Sequence, residues 1–306
     1  VTSNPTPPTG PAGVNGVLDG KVLYREGTSG ATTEVMLDLF TGAPAGFPLN
    51  LDFYPALNTQ EYAAIDTSKR ANNGGKDQLV IMNLTSGTNN LNPAPGVLIN
   101  QAVSGTVRLS PDRTHVAAMW QNVAGGETTP QLTVFSTQGL VQSRVNGASA
   151  YAWLPNGKLL TAQGSQLVTL DVSATGATSN PLTLATLPGA AVDLAVSRDG
   201  TRIAAALPAG AGSHVWIMDS GGGNQRQLTT SASNERNPEF SPNGTWLLVR
   251  QDTGSNCPAL YAVWTGATST QTLNGSSNAS VQRLASKAGS NAAVNVCAGG
   301  QPAWVQ

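Results

Sequence analysis

Short apolar runs alternate with polar, turn-forming phrases along most of this 306-residue chain. The runs are Val116-Ala117-Ala118-Met119-Trp120, Leu159-Leu160-Thr161, Ile203-Ala204-Ala205-Ala206 and Trp246-Leu247-Leu248-Val249. All are of strand length and rich in β-branched, aromatic or small residues. Each follows one recurring phrase: Ser110-Pro111-Asp112-Arg113-Thr114, Leu154-Pro155-Asn156-Gly157-Lys158, Ser197-Arg198-Asp199-Gly200-Thr201 and Ser241-Pro242-Asn243-Gly244-Thr245. Its Asp or Asn falls at positions 112, 156, 199 and 243, a period of 43 to 44 residues. The phrase has hairpin chemistry: Pro presets φ, Asp or Asn bonds nearby backbone, and Gly accepts positive φ. A large apolar residue precedes each copy: Leu109, Trp153, Val196 and Phe240.

A second run follows about ten to fifteen residues on, as in Leu132–Phe135, Leu167–Asp171, Val215–Asp219 and Leu260–Trp264. A shorter run closes each unit, as in Gln225–Thr229. Four strands per repeat of this length predict a propeller blade. Two weaker units lie upstream, around Tyr54–Leu84 and Asp19–Leu39. The unit at Asp19–Leu39 lacks an inner strand, and Gln301-Pro302-Ala303-Trp304-Val305 repeats the pattern of Asn237-Pro238-Glu239-Phe240-Ser241. The predicted fold is therefore all-β: a six-bladed β-propeller of four-stranded antiparallel blades. Its ring is closed by the C-terminal strand pairing into the first blade, which removes exposed edges. Residues 14–306 form this single domain. Residues 1–13, with four prolines and no charge, read as a disordered Pro/Thr-rich linker.

The units run aromatic-Ser-Pro-Asp/Asn-Gly, then a strand, then an apolar-Met-Asp strand, and so resemble TolB-type six-bladed propeller repeats. The resemblance is strongest over residues 105–265, and Arg113 departs from it where the pattern has Gly. It implies the propeller and an envelope setting, not the role of TolB itself, whose extra N-terminal domain has no counterpart in the residues before the ring.

Composition narrows the partners. Only 11% of residues are charged and the net charge is −1, without the basic stripe that nucleic-acid binding needs. No apolar run is long enough for a membrane-spanning helix. The chain starts without Met or a signal-like apolar core, so it reads as a processed or trimmed chain, with the linker as a candidate tether. Cys257 and Cys297 fall in loops on one face of the predicted ring. A disulfide there would close a loop of about 40 residues, add about 2–4 kcal/mol and favour an oxidising compartment. Two buried free thiols are the alternative.

The strand before each turn phrase is innermost in such a ring. Its core column reads Leu57, Leu109, Trp153, Val196, Phe240 and Trp304. The neighbouring column is expected to face the channel: Ala56, Arg108, Ala152, Ala195, Glu239 and Ala303. Its two charges, Arg108 and Glu239, lie on opposite blades. Two residues earlier stand Tyr54, Thr106, Ala150, Asp193, Asn237 and Gln301. This channel end is the candidate ligand or partner site. Glu235 and Arg236, in the segment Asn234–Asn237 without counterpart in other units, form a second candidate at the rim. The basic loop Ser68–Asp77 is a third, for an anionic partner. For each, a purely structural or solvated role competes.

Catalytic signals are few. His115 and His214 stand apart, without metal spacing, and read as surface or rim residues. No nucleophile-elbow motif occurs. Asp193 and Glu239 are the one candidate acid–base pair. No cofactor is expected; a channel Ca²⁺ on Asp193, Asn237 and carbonyls is the metal alternative. The reading is a non-catalytic protein-binding or scaffold propeller of the bacterial cell envelope, exported to the periplasm or cell surface. The alternative is a lyase or hydrolase acting on a glycan or peptide at the channel mouth.

Overall fold

The computed structural model describes residues 18, 20–28, 31–38, 44–47, 51–54, 61–66, 77–83, 92–99, 103–120, 128–136, 142–252, 258–284 and 303–305. The predicted linker 1–13, the basic loop Ser68–Lys76, Gln301, Cys257 and Cys297 lie outside them, as does the expected disulfide.

Every regular element among the described residues is a strand, and these assemble into six four-stranded antiparallel sheets arranged as propeller blades and one two-stranded parallel sheet. From inside outward, blade 3 runs Val103–Leu109, His115–Trp120, Gln131–Ser136 and Gln142–Val145. Blade 4 runs Ala148–Trp153, Leu159–Gln163, Gln166–Val172 and Thr178–Thr186. Blade 5 runs Asp193–Val196, Arg202–Ala209, Gly212–Asp219 and Arg226–Gln227. Blade 6 runs Asn234–Phe240, Trp246–Asp252, Ala259–Trp264 and Val281–Arg283. Blade 2 begins at Leu51–Tyr54. Blade 1 takes its inner strand from the chain end: Ala303–Val305 pairs antiparallel with Lys21–Thr28, Trp304 standing opposite Val22.

The turn phrases lock the hairpins by the expected chemistry. In blade 5, the Ser197 hydroxyl donates to Asp199 Oδ1 at 2.6 Å, while Gly200 N donates to Ser197 O at 2.8 Å. Blade 6 repeats this with Ser241, Asn243 and Gly244, and blade 3 with Ser110, Asp112 and Arg113. Gly157, Gly200 and Gly244 take φ of 80°, 70° and 73°; Arg113, in the glycine position, takes 63°.

Packing between blades corrects one expectation. Leu109, Trp153, Val196, Phe240 and Trp304 are buried as predicted. Ala152 and Ala195, expected to line the channel, are buried too. Ala152 packs with Leu160, Leu194 and Val196, and Ala195 with Phe240, Val249 and Tyr261. Both faces of an inner strand meet a neighbouring blade, so the alanines allow close approach between sheets rather than keeping a pore open.

One element breaks the blade pattern. The connection before the outer strand of blade 6 spans 265–280, against 220–225 in blade 5 and 173–177 in blade 4. It lies across blade 5, where Gln271–Thr272 pairs in parallel with Thr229–Thr230.

Candidate functional site

Three inner strands bring the predicted polar residues together. Arg108 from blade 3 reaches across to blade 6, and its Nη1 lies 3.3 Å from Glu239 Oε2. Its Nη2 donates to Leu194 O of blade 5 at 3.2 Å. The strand carrying Arg108 is held in turn by blade 4, where Trp153 Nε1 donates to Arg108 O at 2.9 Å. Both partners are buried, which makes the pair a structural cross-tie between opposite blades. Burial pushes the Glu239 carboxyl above the usual range, and the Arg108 charge opposes that shift.

Asp193 and Asn237 form the second contact. Asn237 N donates to Asp193 Oδ2 at 3.2 Å and Asn237 Nδ2 to Asp193 Oδ1 at 3.3 Å. The geometry depends on a bulge: the register of the blade 6 inner strand shifts between Arg236 and Glu239, and Asn237 takes φ of 52°. A bulge inserts an extra residue and re-aims its neighbours, and Asn tolerates the left-handed conformation better than most residues. Burial pushes the Asp193 carboxyl up, against the Asn237 amide and the Arg236, Arg108 and Arg250 charges. Among the described residues no group of three or more His, Cys, Asp or Glu is arranged to hold a metal.

Arg236 stands directly opposite Arg250 on the adjacent strand. Like charges so placed repel. Arg250 is answered by Asp252 at 3.2 Å, but no ion pair joins Arg236 to an acid among the described residues. Arg236 is therefore the guanidinium of the two that no ion pair holds beside Asp193.

Glu235 is placed differently from expectation. The segment Asn234–Asn237 is strand, not a rim loop, and Glu235 is fully buried. Its Oε2 accepts a short hydrogen bond from the Thr229 hydroxyl and one from Val215 N at 3.4 Å. His214 Nδ1 lies 3.3 Å from the same oxygen. The strand alternation that sends Arg236 one way turns Glu235 toward blade 5. The histidines also depart from expectation. His115 is buried, its ring 6.5 Å from that of Trp153, and His214 is half-buried beside Glu235. Tyr54 ends its strand opposite Ala63. Neither the bulge nor Arg250 was singled out in the sequence. The Asn-Pro dipeptide at 237–238 was the available signal for the bulge; the pairing of Arg236 with Arg250 follows only from register.

No family model and no curated protein matches the chain. Solved structures do. TolB from Acinetobacter baumannii superposes with a TM-score of 0.66 at 17% identity, over 93% of this chain and 66% of that one. A TolB candidate from Agrobacterium tumefaciens gives 0.53 at 11% identity, over 88% and 89% of the two chains. A chain of a nidogen/laminin complex gives 0.52 at 12%, over 80% and 89%. The chain thus spans just under two thirds of the Acinetobacter protein. At these identities the shared property is the fold, a TolB-type propeller.

Proposed function

We propose that this chain is a non-catalytic protein-binding propeller of the bacterial cell envelope, holding a partner at the channel end marked by Asp193, Asn237 and Arg236. One observation carries the reading. Two ties join three blades at this end, Arg108 to Glu239 and Leu194 O and Asn237 to Asp193, so the frame beside Arg236 is rigid before any partner arrives. Preorganisation of this kind lowers the entropic cost of association. The Arg236 guanidinium, which no ion pair holds among the described residues, suits an acidic segment of the partner. The solved relatives agree in kind, since one was captured in a protein–protein complex. Export to the periplasm or cell surface, a tether through residues 1–13 and a disulfide between Cys257 and Cys297 belong to the same proposal. Among the described residues no helix is long and apolar enough to cross a membrane.

The test is a pull-down from native envelope extract with wild type, Arg236→Glu and the double variant Arg108→Ala/Glu239→Ala. Arg236→Glu breaks no hydrogen bond or ion pair among the described residues, so it should keep the fold and lose the partner by about tenfold or more. A partner held equally by all three proteins would place the contact on an outer blade face.

A second reading rests on the two raised carboxyls. Asp193 and Glu239 are both pushed up by burial, the direction that favours a carboxyl acting as proton donor to a leaving group. A lyase or hydrolase would then release product from a glycan or peptide with a pH profile that Asp193→Asn abolishes.

A further inference from the structure

The connection 265–280 lines one side of a cavity of about 390 Å³ on the face of blade 6 that meets blade 5. Its walls are fixed. Ala267 and Leu273 are buried in the core with Leu228, Val249 and Tyr261. Gln271 N donates to Leu228 O at 2.8 Å and Leu273 N to Thr230 O at 3.0 Å. Gln251 Nε2 donates to Leu273 O, and Gly275 N to the Tyr261 hydroxyl, both at 2.9 Å. The opposite wall is the turn Ser231–Ser233, itself closed by Ser233 N donating to the Ser231 hydroxyl at 3.2 Å.

Arg283 is the one charged residue in the lining. It pairs in register with Tyr261 and so shares its side of the blade. A methyl placed on Gly275 would sit 3.8 Å from the guanidinium, so the loop backbone passes close to the charge. Arg283 Nε is sealed from solvent and has no hydrogen-bond partner. An atom closed to water is also closed to a ligand oxygen, so the Nη end of the guanidinium is the part that a ligand in the cavity can meet. The rest of the wall offers hydroxyl and amide groups: Ser231, Ser233, Thr272 and Asn274. The volume lies at the lower end of the range for small-molecule sites.

We propose that this cavity binds a small hydroxylated carboxylate, its carboxyl group on the Arg283 fork and its hydroxyls on the serine, threonine and asparagine side chains. Guanidinium and carboxylate match in planarity and donor spacing. The site does not depend on the channel reading, because none of its residues lies in the channel.

Titration calorimetry with D-glucuronate as probe tests the assignment. Wild type should bind it saturably. Arg283→Gln should weaken binding by about tenfold or more, and glucose, which lacks the carboxylate, should lose at least as much. Ala232→Trp, which adds bulk at the lining turn Ser231–Ser233, should abolish binding at an unchanged melting temperature and covers the case in which Arg283→Gln misfolds. Absence of saturable glucuronate binding to wild type overturns the proposal, as does wild-type affinity in both variants. Binding of inorganic phosphate as tight as that of glucuronate overturns the assignment of a hydroxylated carboxylate.

Discussion

Glu235 is the residue with the sharpest consequence. It is a fully buried carboxylate with one oxygen, Oε1, that has no hydrogen-bond partner. Burial pushes its carboxyl above the ordinary value of 4.5, against the Thr229 hydroxyl, the His214 ring and the Val215 amide. A raised folded-state pKa means that the folded chain holds this proton more tightly than the unfolded chain. The stability it contributes is complete below the ordinary value and is lost as pH rises through the folded value. Glu235→Gln keeps an acceptor for Thr229 and Val215 and removes the charge. The variant should melt above wild type at pH 8, with the gap closing toward pH 4. Thermal melts across that range decide it; a gap that widens toward acid would mean that the His214–Glu235 ion pair stabilises the fold. Sequence alone does not place this residue, because Asn234-Glu235-Arg236-Asn237 has the composition of a turn and no counterpart in the other units. Arg108 and Glu239 were legible because a six-fold repeat sets positions three blades apart against each other.

The turn phrase is the element on which the repeat rests, and its tightest position is the one with positive φ. Gly fills it in blades 4, 5 and 6, but blade 3 places Arg113 there. A left-handed conformation costs a non-glycine residue roughly 1–2 kcal/mol. Arg113→Gly should therefore raise stability, by about 1 kcal/mol after the added freedom of the unfolded chain is counted. The converse change, Gly200→Ala, should cost more than the backbone term, because its new methyl would meet Pro155 Cγ at 3.0 Å. Urea denaturation of the pair measures both signs in one experiment. Elements with this chemistry were legible because each copy carries its own local instructions. The excursion 265–280 was not. Its core anchors are Ala267 and Leu273, amid Gly, Ser, Thr and Asn, so no periodicity announces that it packs. Its parallel pairing with Thr229–Thr230 arises from the approach of two blades, which no window of sequence contains. The alanine column failed for a related reason: alternation gives two faces to a strand, but only the ring decides that both are covered.

At the scale of the whole molecule, stability depends on the short strand that returns from the chain end. Ala303–Val305 offers three register pairs to Lys21–Thr28. Its weight lies in Trp304, buried with Val22, Trp246, Leu248 and Leu260 and so bridging blades 1 and 6. A ring assembled from sheets with mostly local contacts gains cooperativity only when its ends are joined. Trp304→Ala should cost about 3–5 kcal/mol, the range for removing a buried aromatic side chain. Deletion of 303–306 should do more than destabilise, since it leaves Lys21–Thr28 as an unpaired edge open to other chains. The truncated protein should unfold over a broader denaturant range and self-associate in sedimentation velocity. A truncated chain that stays monomeric with an unchanged midpoint would show that the other sheets hold the ring without closure. The channel should respond as well, because Glu239 sits on blade 6, beside the seam that closure seals, while Arg108 sits across the ring. Loss of the last strand should thus weaken partner binding at the channel even though none of its residues is proposed to touch the partner.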